Sequence, residues 1–166
     1  MIWLKRIFTA SILILVIISL LLAYTMNSYT DAPVDDVWEL SATPSASDAV
    51  TVRYTGTATL LFSDGQTQFI TDAWFSRPNG LQLFVGKITP DMEAINYGIA
   101  NNDIDSLAAV FVMHSHFDHA MDAPVVARLT GAQLIGSSST LNIGRGLKLP
   151  ENRMMEAPLN EFISIG

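Results

Sequence analysis

The chain contains no cysteine. That absence excludes disulfide frameworks, thiolate zinc sites, cysteine nucleophiles and iron–sulfur clusters together, so any metal must be held by histidine and carboxylate. Charge is also scarce: 15% of the 166 residues are Asp, Glu, Lys or Arg, against 49% hydrophobic. Disordered chains show the opposite balance, so this chain folds, enters a membrane, or does both. Basic residues are the rarer sign, 9 against 16 acidic, and two of them, Lys5 and Arg6, stand at the extreme N-terminus. From residue 26 onward seven basic residues meet sixteen acidic ones, a net −9, which disfavours nucleic acid as a partner. The length allows one domain plus an appendage.

What the sequence does have begins with an apolar run. From Ile7 to Tyr24 it reads IFTASILILVIISLLLAY, without a charge or a helix breaker. As a helix rising about 1.5 Å per residue it would span about 27 Å, close to a hydrocarbon core of about 30 Å. Lys5 and Arg6 precede it and Asp31, Asp35 and Asp36 follow, so the positive-inside bias predicts a single pass with the remainder outside the cytoplasm, periplasmic or extracellular. A cleavable signal peptide is the alternative, but the run exceeds the roughly 7 to 15 residues usual for one and no Ala-x-Ala site follows. The expected organisation is an anchor over 1–25, a tether over 26–49 rich in Pro, Ser, Asp and Ala on which Trp38 and Leu40 dock to the domain, and a domain over 50–166.

Within that domain VTVRY (50–54), TATLLF (57–62) and QTQFIT (66–71) predict an antiparallel meander, punctuated by Gly56 and by the turn pair Asp64-Gly65. A helix is expected to start near Pro90, with Asp91 and Glu93 in its first turn, and to end before Asn101-Asn102. LAAVFVM (107–113) reads as a central strand covered on both faces. APVVARLTG suggests a short helix closed by Gly131, AQLIG a strand, and SSSTLNIGRG a loop or short helix with a Ser cap. Strand, helix and strand in alternation predict an α/β architecture.

All three histidines fall in one stretch, VMHSHFDHAMDAP, which places His114, His116, Asp118 and His119 within six residues. His114 and His116 are two apart, so on extended backbone they project to one side and can share an ion. Imidazole nitrogens suit zinc, at about 2.0 to 2.1 Å. Asp118 and His119 follow a turn and offer one oxygen and one nitrogen to a second ion. Asp122 either orients an imidazole or serves ordinary N-terminal helix chemistry. Ser137 to Thr140 and Arg145 are candidates for contact with a substrate anion, although helix capping and a solvated charge explain them more simply. Trp74, Phe75 and Phe117 line a pocket mouth or complete a core.

The motif His114-Ser-His116-Phe-Asp118-His119 resembles the signature of the metallo-β-lactamase fold superfamily. Gly56-Thr57-Ala58-Thr59, a hairpin, and Phe69-Ile-Thr-Asp72 resemble that family's opening strands and its aspartate-bearing first motif, so that roughly residues 50 to 165 follow the order of its first half. The resemblance implies the first half of an αββα sandwich and a hydrolase in which a metal-bound hydroxide attacks an ester, lactone or phosphodiester. It also implies two divalent ions, zinc first, with manganese or iron as alternatives. By it, His114 and His116 belong to one metal site and Asp118 and His119 to the other, with Asp118 also acting on the nucleophilic water. Asp72, otherwise an ordinary turn carboxylate, would accept hydrogen bonds that hold the histidine loop. Thr71-Asp-Ala-Trp-Phe-Ser and the Asp-His-x-x-Asp spacing resemble the branch that includes phosphodiesterases of N-acylated phospholipids and related lactonases, which suggests a small-molecule or lipid-like substrate.

The family's second half supplies further His and Asp ligands, and no His follows His119 here. The expected consequence is a competing reading: a catalytically incompetent half-domain that needs a C-terminal half or a partner. Its final Phe162-Ile-Ser-Ile would form an unpaired strand, and its uncovered apolar sheet face would favour self-association.

Overall fold

The computed structural model describes residues 2–28 and 49–165 of the chain. Trp38 and Leu40, and most of the expected tether, lie outside the described residues. The chain divides into two compact units, Met1–Thr43 and Pro44–Gly166.

Among the described residues of the first unit, one helix, α1 (Ile2–Asn27), contains the apolar run. Ile2–Thr25 is long and apolar enough to cross a membrane, as a span or a signal sequence.

The second unit is built on a six-stranded mixed sheet, with helices between its later strands. The strands β1 (Thr51–Gly56), β2 (Thr59–Ser63) and β3 (Gln68–Thr71) form the expected antiparallel meander. The β2–β3 turn is made as its chemistry suggests: Gly65 has a φ of 89°, and the Asp64 carboxylate accepts the Gln66 and Thr67 N–H groups at 2.9 and 2.7 Å. A crossover through α2 (Gly80–Val85) and α3 (Met92–Asn101) then brings β4 (Leu107–Phe111) parallel to β3. Asp91 caps α3, accepting from Glu93 N and Ala94 N. Gln68 clips the entry to β4, its amide bonding Asp103 O and accepting from Asp105 N and Ser106 N. After β4 come α4 (Phe117–Ala120), α5 (Ala123–Thr130), β5 (Gln133–Gly136), α6 (Ser138–Gly146) and β6 (Met154–Glu156), with β4, β5 and β6 all parallel. Gly131 closes α5 at a φ of 85°, the left-handed conformation expected of it.

Residues in register across the sheet define its two faces. Leu61, Ile70, Val110, Leu134 and Met154 form one row and pack with Ile95, Val125, Val126 and Leu141 of the helices into the core. On the other face Phe62 stacks on Phe69 at 4.5 Å, and Phe69 meets Phe111 edge-on at 5.9 Å. These three rings are only partly buried. Ala109 of β4, paired with Phe69 on this face, is buried, so β4 is covered on both faces as expected except toward its Phe111 end.

The helix α2, unassigned from sequence, is closed at its start by a reciprocal capping box of Asn79 and Gln82. Two expectations are corrected. The last strand is Met154–Glu156, not the terminal Phe162-Ile-Ser-Ile, which joins no ladder. That terminal segment instead places Ile163 and Ile165 around a cavity with Val50, Phe62 and Phe69, and the cavity contains no histidine. Finally, β4 ends at Phe111 rather than at Met113, which leaves the histidines on loop and short helix.

Candidate metal centre

The exit of β4 and the exit of β3 lie side by side because the two strands are parallel neighbours, with Thr71 opposite Phe111. Ligand sites of α/β sheets collect outside such carboxyl ends. Directly after Thr71 the chain makes a tight turn in which Asp72 and Ala73 both adopt positive φ, 60° and 48°. A non-glycine residue in this region costs about 1 to 3 kcal/mol, and such strain clusters at functional sites. Here the turn aims the buried Asp72 carboxylate across at the neighbouring strand exit, while Asp72 N donates to Phe111 O at 2.6 Å.

The Asp72 carboxylate has two partners. Oδ1 accepts the Met113 N–H at 2.8 Å, and Oδ2 lies 2.8 Å from His119 Nδ1. With Nδ1 occupied, His119 presents Nε2 outward, and that atom is 3.6 Å from Asp118 Oδ2. A carboxylate behind an imidazole fixes its tautomer and raises its basicity as a ligand. On the other side of the motif, His114 Nε2 and His116 Nδ1 are 3.1 Å apart. Two nitrogens sharing one tetrahedral zinc at about 2.05 Å would be separated by about 3.3 Å, so the two rings are already near that spacing. They reach it from a loop after the strand rather than by strand alternation. His114 also lies against His119, with ring centroids 3.9 Å apart. His114 and His116 are exposed, whereas the side chain of His119 is 15% exposed. Among the described residues no group of three or more His, Asp or Glu side chains encloses an ion by itself. The donor chemistry and the paired His114 and His116 nitrogens still fit a divalent ion, with fewer donors brought together than the three usual at catalytic zinc.

Among the described residues Asp122 makes no hydrogen bond to an imidazole, and its side chain does not cap α5. Wholly buried, it accepts Phe75 N at 2.8 Å and Ser76 N at 2.6 Å on Oδ2, and Ser76 Oγ at 2.8 Å on Oδ1. Ser76 Oγ in turn accepts Asp91 N at 2.7 Å, which links the start of α3 to the same cluster. Burial pushes the Asp122 carboxyl above its ordinary range, opposed by the Ser76 and Phe75 donors and by Arg77 nearby.

The remaining candidates sort by contact. Trp74 meets Phe117 edge-on at 6.1 Å and carries Arg77 over its ring at 4.3 Å, while Phe75 joins the core. Phe117 and Met113 stay exposed beside the histidines. Arg145 is engaged by Glu151 through two bonds of 2.7 and 2.9 Å, and Ser137 Oγ caps α6. The residues not foreseen are Ser76, which completes the Asp122 cluster, and Ser115, whose hydroxyl reaches α6.

The chain is 25% identical over 118 residues to a UPF0173 metal-dependent hydrolase of Pyrobaculum islandicum, a match covering 69% of this chain and 44% of the relative. A solved metallo hydrolase from the hyperthermophilic archaeon Ignicoccus hospitalis is similar at 21% identity and a TM-score of 0.44, over 68% of this chain and 41% of that one. No family model matches the chain. The chain thus spans less than half the length of the relative it matches, and over that part it resembles metal-dependent hydrolases of the metallo-β-lactamase fold superfamily.

Proposed function

We propose that the chain belongs to a membrane-anchored metal-dependent hydrolase whose first ion is held by His114 and His116 and whose second is held by Asp118 and His119. The observation that carries this reading is the Asp72 carboxylate at His119 Nδ1, which leaves Nε2 free toward Asp118 while the His114 and His116 nitrogens converge. Divalent ions held there, zinc first and manganese or iron otherwise, would lower the pKa of a bound water toward neutrality.

The chain's own groups supply the rest. Asp118, partly exposed beside His119 Nε2, is placed to take the proton of an attacking water. Asp72 holds both the loop and the imidazole in register. The bond attacked is an ester, lactone or phosphodiester. Apolar Met113 and Phe117 at the motif and the apolar helix α1 favour a lipid-like substrate met at a membrane, with the domain on the extracytoplasmic side. The partly bared phenylalanine face is the surface through which self-association would run.

A second reading, a half-domain that needs further ligands from elsewhere, is favoured by the two donors available to each ion. One experiment separates the two. Full-length chain in detergent is titrated with Zn²⁺ by calorimetry and then assayed on generic phosphodiester and ester substrates, beside His114→Ala/His116→Ala. Uptake of two ions with turnover, with one ion and the turnover lost in the double variant, supports the hydrolase. Uptake without turnover supports the half-domain, and equal heats for both proteins overturn the metal assignment.

A further inference from the structure

Ser115 is the single residue between His114 and His116, and its hydroxyl is not free. Oγ lies 2.9 Å from Thr140 Oγ1 and 3.0 Å from Ser137 Oγ, and those two atoms are 3.3 Å apart. Three hydroxyls with three mutual contacts can close a ring in which each donates once and accepts once. Thr140 is wholly buried, so its hydroxyl depends on these partners. Room for it is made by Gly136 at the end of β5, where an added Cβ would come within 2.9 Å of Thr140 Cγ2. The ring therefore joins the histidine loop to the first turn of α6, 22 to 25 residues further along the chain.

We infer that the Ser115–Ser137–Thr140 hydroxyl ring is a latch that sets the spacing of His114 and His116 for the metal, and that Ser115 and Thr140 are positioning residues. The inference rests on the proposed metal reading. Asp72 steadies the same loop at Met113 and again at His119. Between those two points, among the described residues, Ser115 is the one side chain that hydrogen-bonds to another element, while Phe117 meets Trp74 through its ring alone. A plain capping role for Ser137 does not account for the ring. Its Oγ accepts Thr140 N at 3.3 Å, a bond that needs nothing from Ser115.

The test is a Co²⁺ titration of the full chain in detergent, read by calorimetry and by the visible absorption of the bound ion. It compares wild type with Ser115→Ala, Thr140→Val and Thr140→Ser. Ser115→Ala removes the latch and leaves the helix cap. It is expected to weaken Co²⁺ binding about tenfold and to shift the absorption bands at saturation, as loss of a ligand's supporting partner does. Thr140→Val should do the same, and Thr140→Ser, which keeps the hydroxyl, should restore both. Affinities within about twofold of wild type with unchanged bands, in Ser115→Ala and Thr140→Val alike, overturn the latch while the metal assignment stands. A wild-type chain that takes up no Co²⁺ overturns the metal assignment, and the latch with it.

Discussion

Two segments face each other at the carboxyl ends of β3 and β4, residues 72–76 and residues 113–122, and each gives the other one buried carboxylate. Asp72 reaches from the first segment to Met113 and His119 of the second. Asp122 reaches back from the second to Phe75 and Ser76 of the first. Their partners differ in kind. Asp122 serves two backbone N–H groups and a hydroxyl, so its work is to hold the two segments together. Asp72 divides itself between a backbone N–H and an imidazole, so it carries the structural hold into the chemistry of a ligand. Burial and charge alone do not separate these roles, since both side chains are almost wholly buried.

The largest effect expected from breaking this symmetry is on the Asp122 side. Asp122→Ala leaves three buried donors without an acceptor, at about 1 to 3 kcal/mol each. The loss of stability should be at least about 3 kcal/mol, measured by denaturant unfolding of the chain in detergent. A loss below about 1 kcal/mol would mean that water reaches these groups.

Asp72→Asn sharpens the contrast. The amide oxygen can still accept from Met113 N, but the charged acceptor behind His119 is gone. Metal affinity should fall about 10- to 100-fold by calorimetry, with stability reduced far less than in Asp122→Ala. Equal affinity in variant and wild type would show that His119 needs no carboxylate behind it.

The smallest effect is a pH dependence. Burial raises the Asp122 carboxyl above its ordinary value of 3.8. A carboxyl raised by folding favours the folded state in its protonated form. That contribution is complete below 3.8 and is lost as the pH climbs through the raised value. Asp122→Asn cannot ionise, so the difference in melting temperature between wild type and this variant should shrink as the pH rises above 3.8. A difference that widens over this range would show that the three donors, rather than burial, decide the charge.

Much of this arrangement was legible in the sequence, and the rest was hidden for physical reasons. The meander followed from β-branched runs and turn residues, and the helices from Asp91, Gly131 and Ser137, because each of these signals acts over a few residues. The histidine motif, and Asp72 through its resemblance to a family pattern, were equally plain. What stayed hidden depends on packing between distant parts. Asp122 was expected either to steady an imidazole or to serve the start of a helix, whereas its partner Ser76 is 46 residues away. The Ser115 contact with Thr140 exists only because α6 starts beside the exit of β4. The three-residue β6 is too short for a period-two pattern to show, while the β-rich terminal residues looked more like a strand than it did.

The left-handed turn at Asp72 and Ala73 has a consequence for how the centre can fail. One carboxylate, aimed by two strained torsions, restrains a backbone amide and an imidazole at once. If those torsions relax, both restraints go together. Departures from the productive arrangement should then be discrete rather than graded, with the histidine ring either seated or swung away.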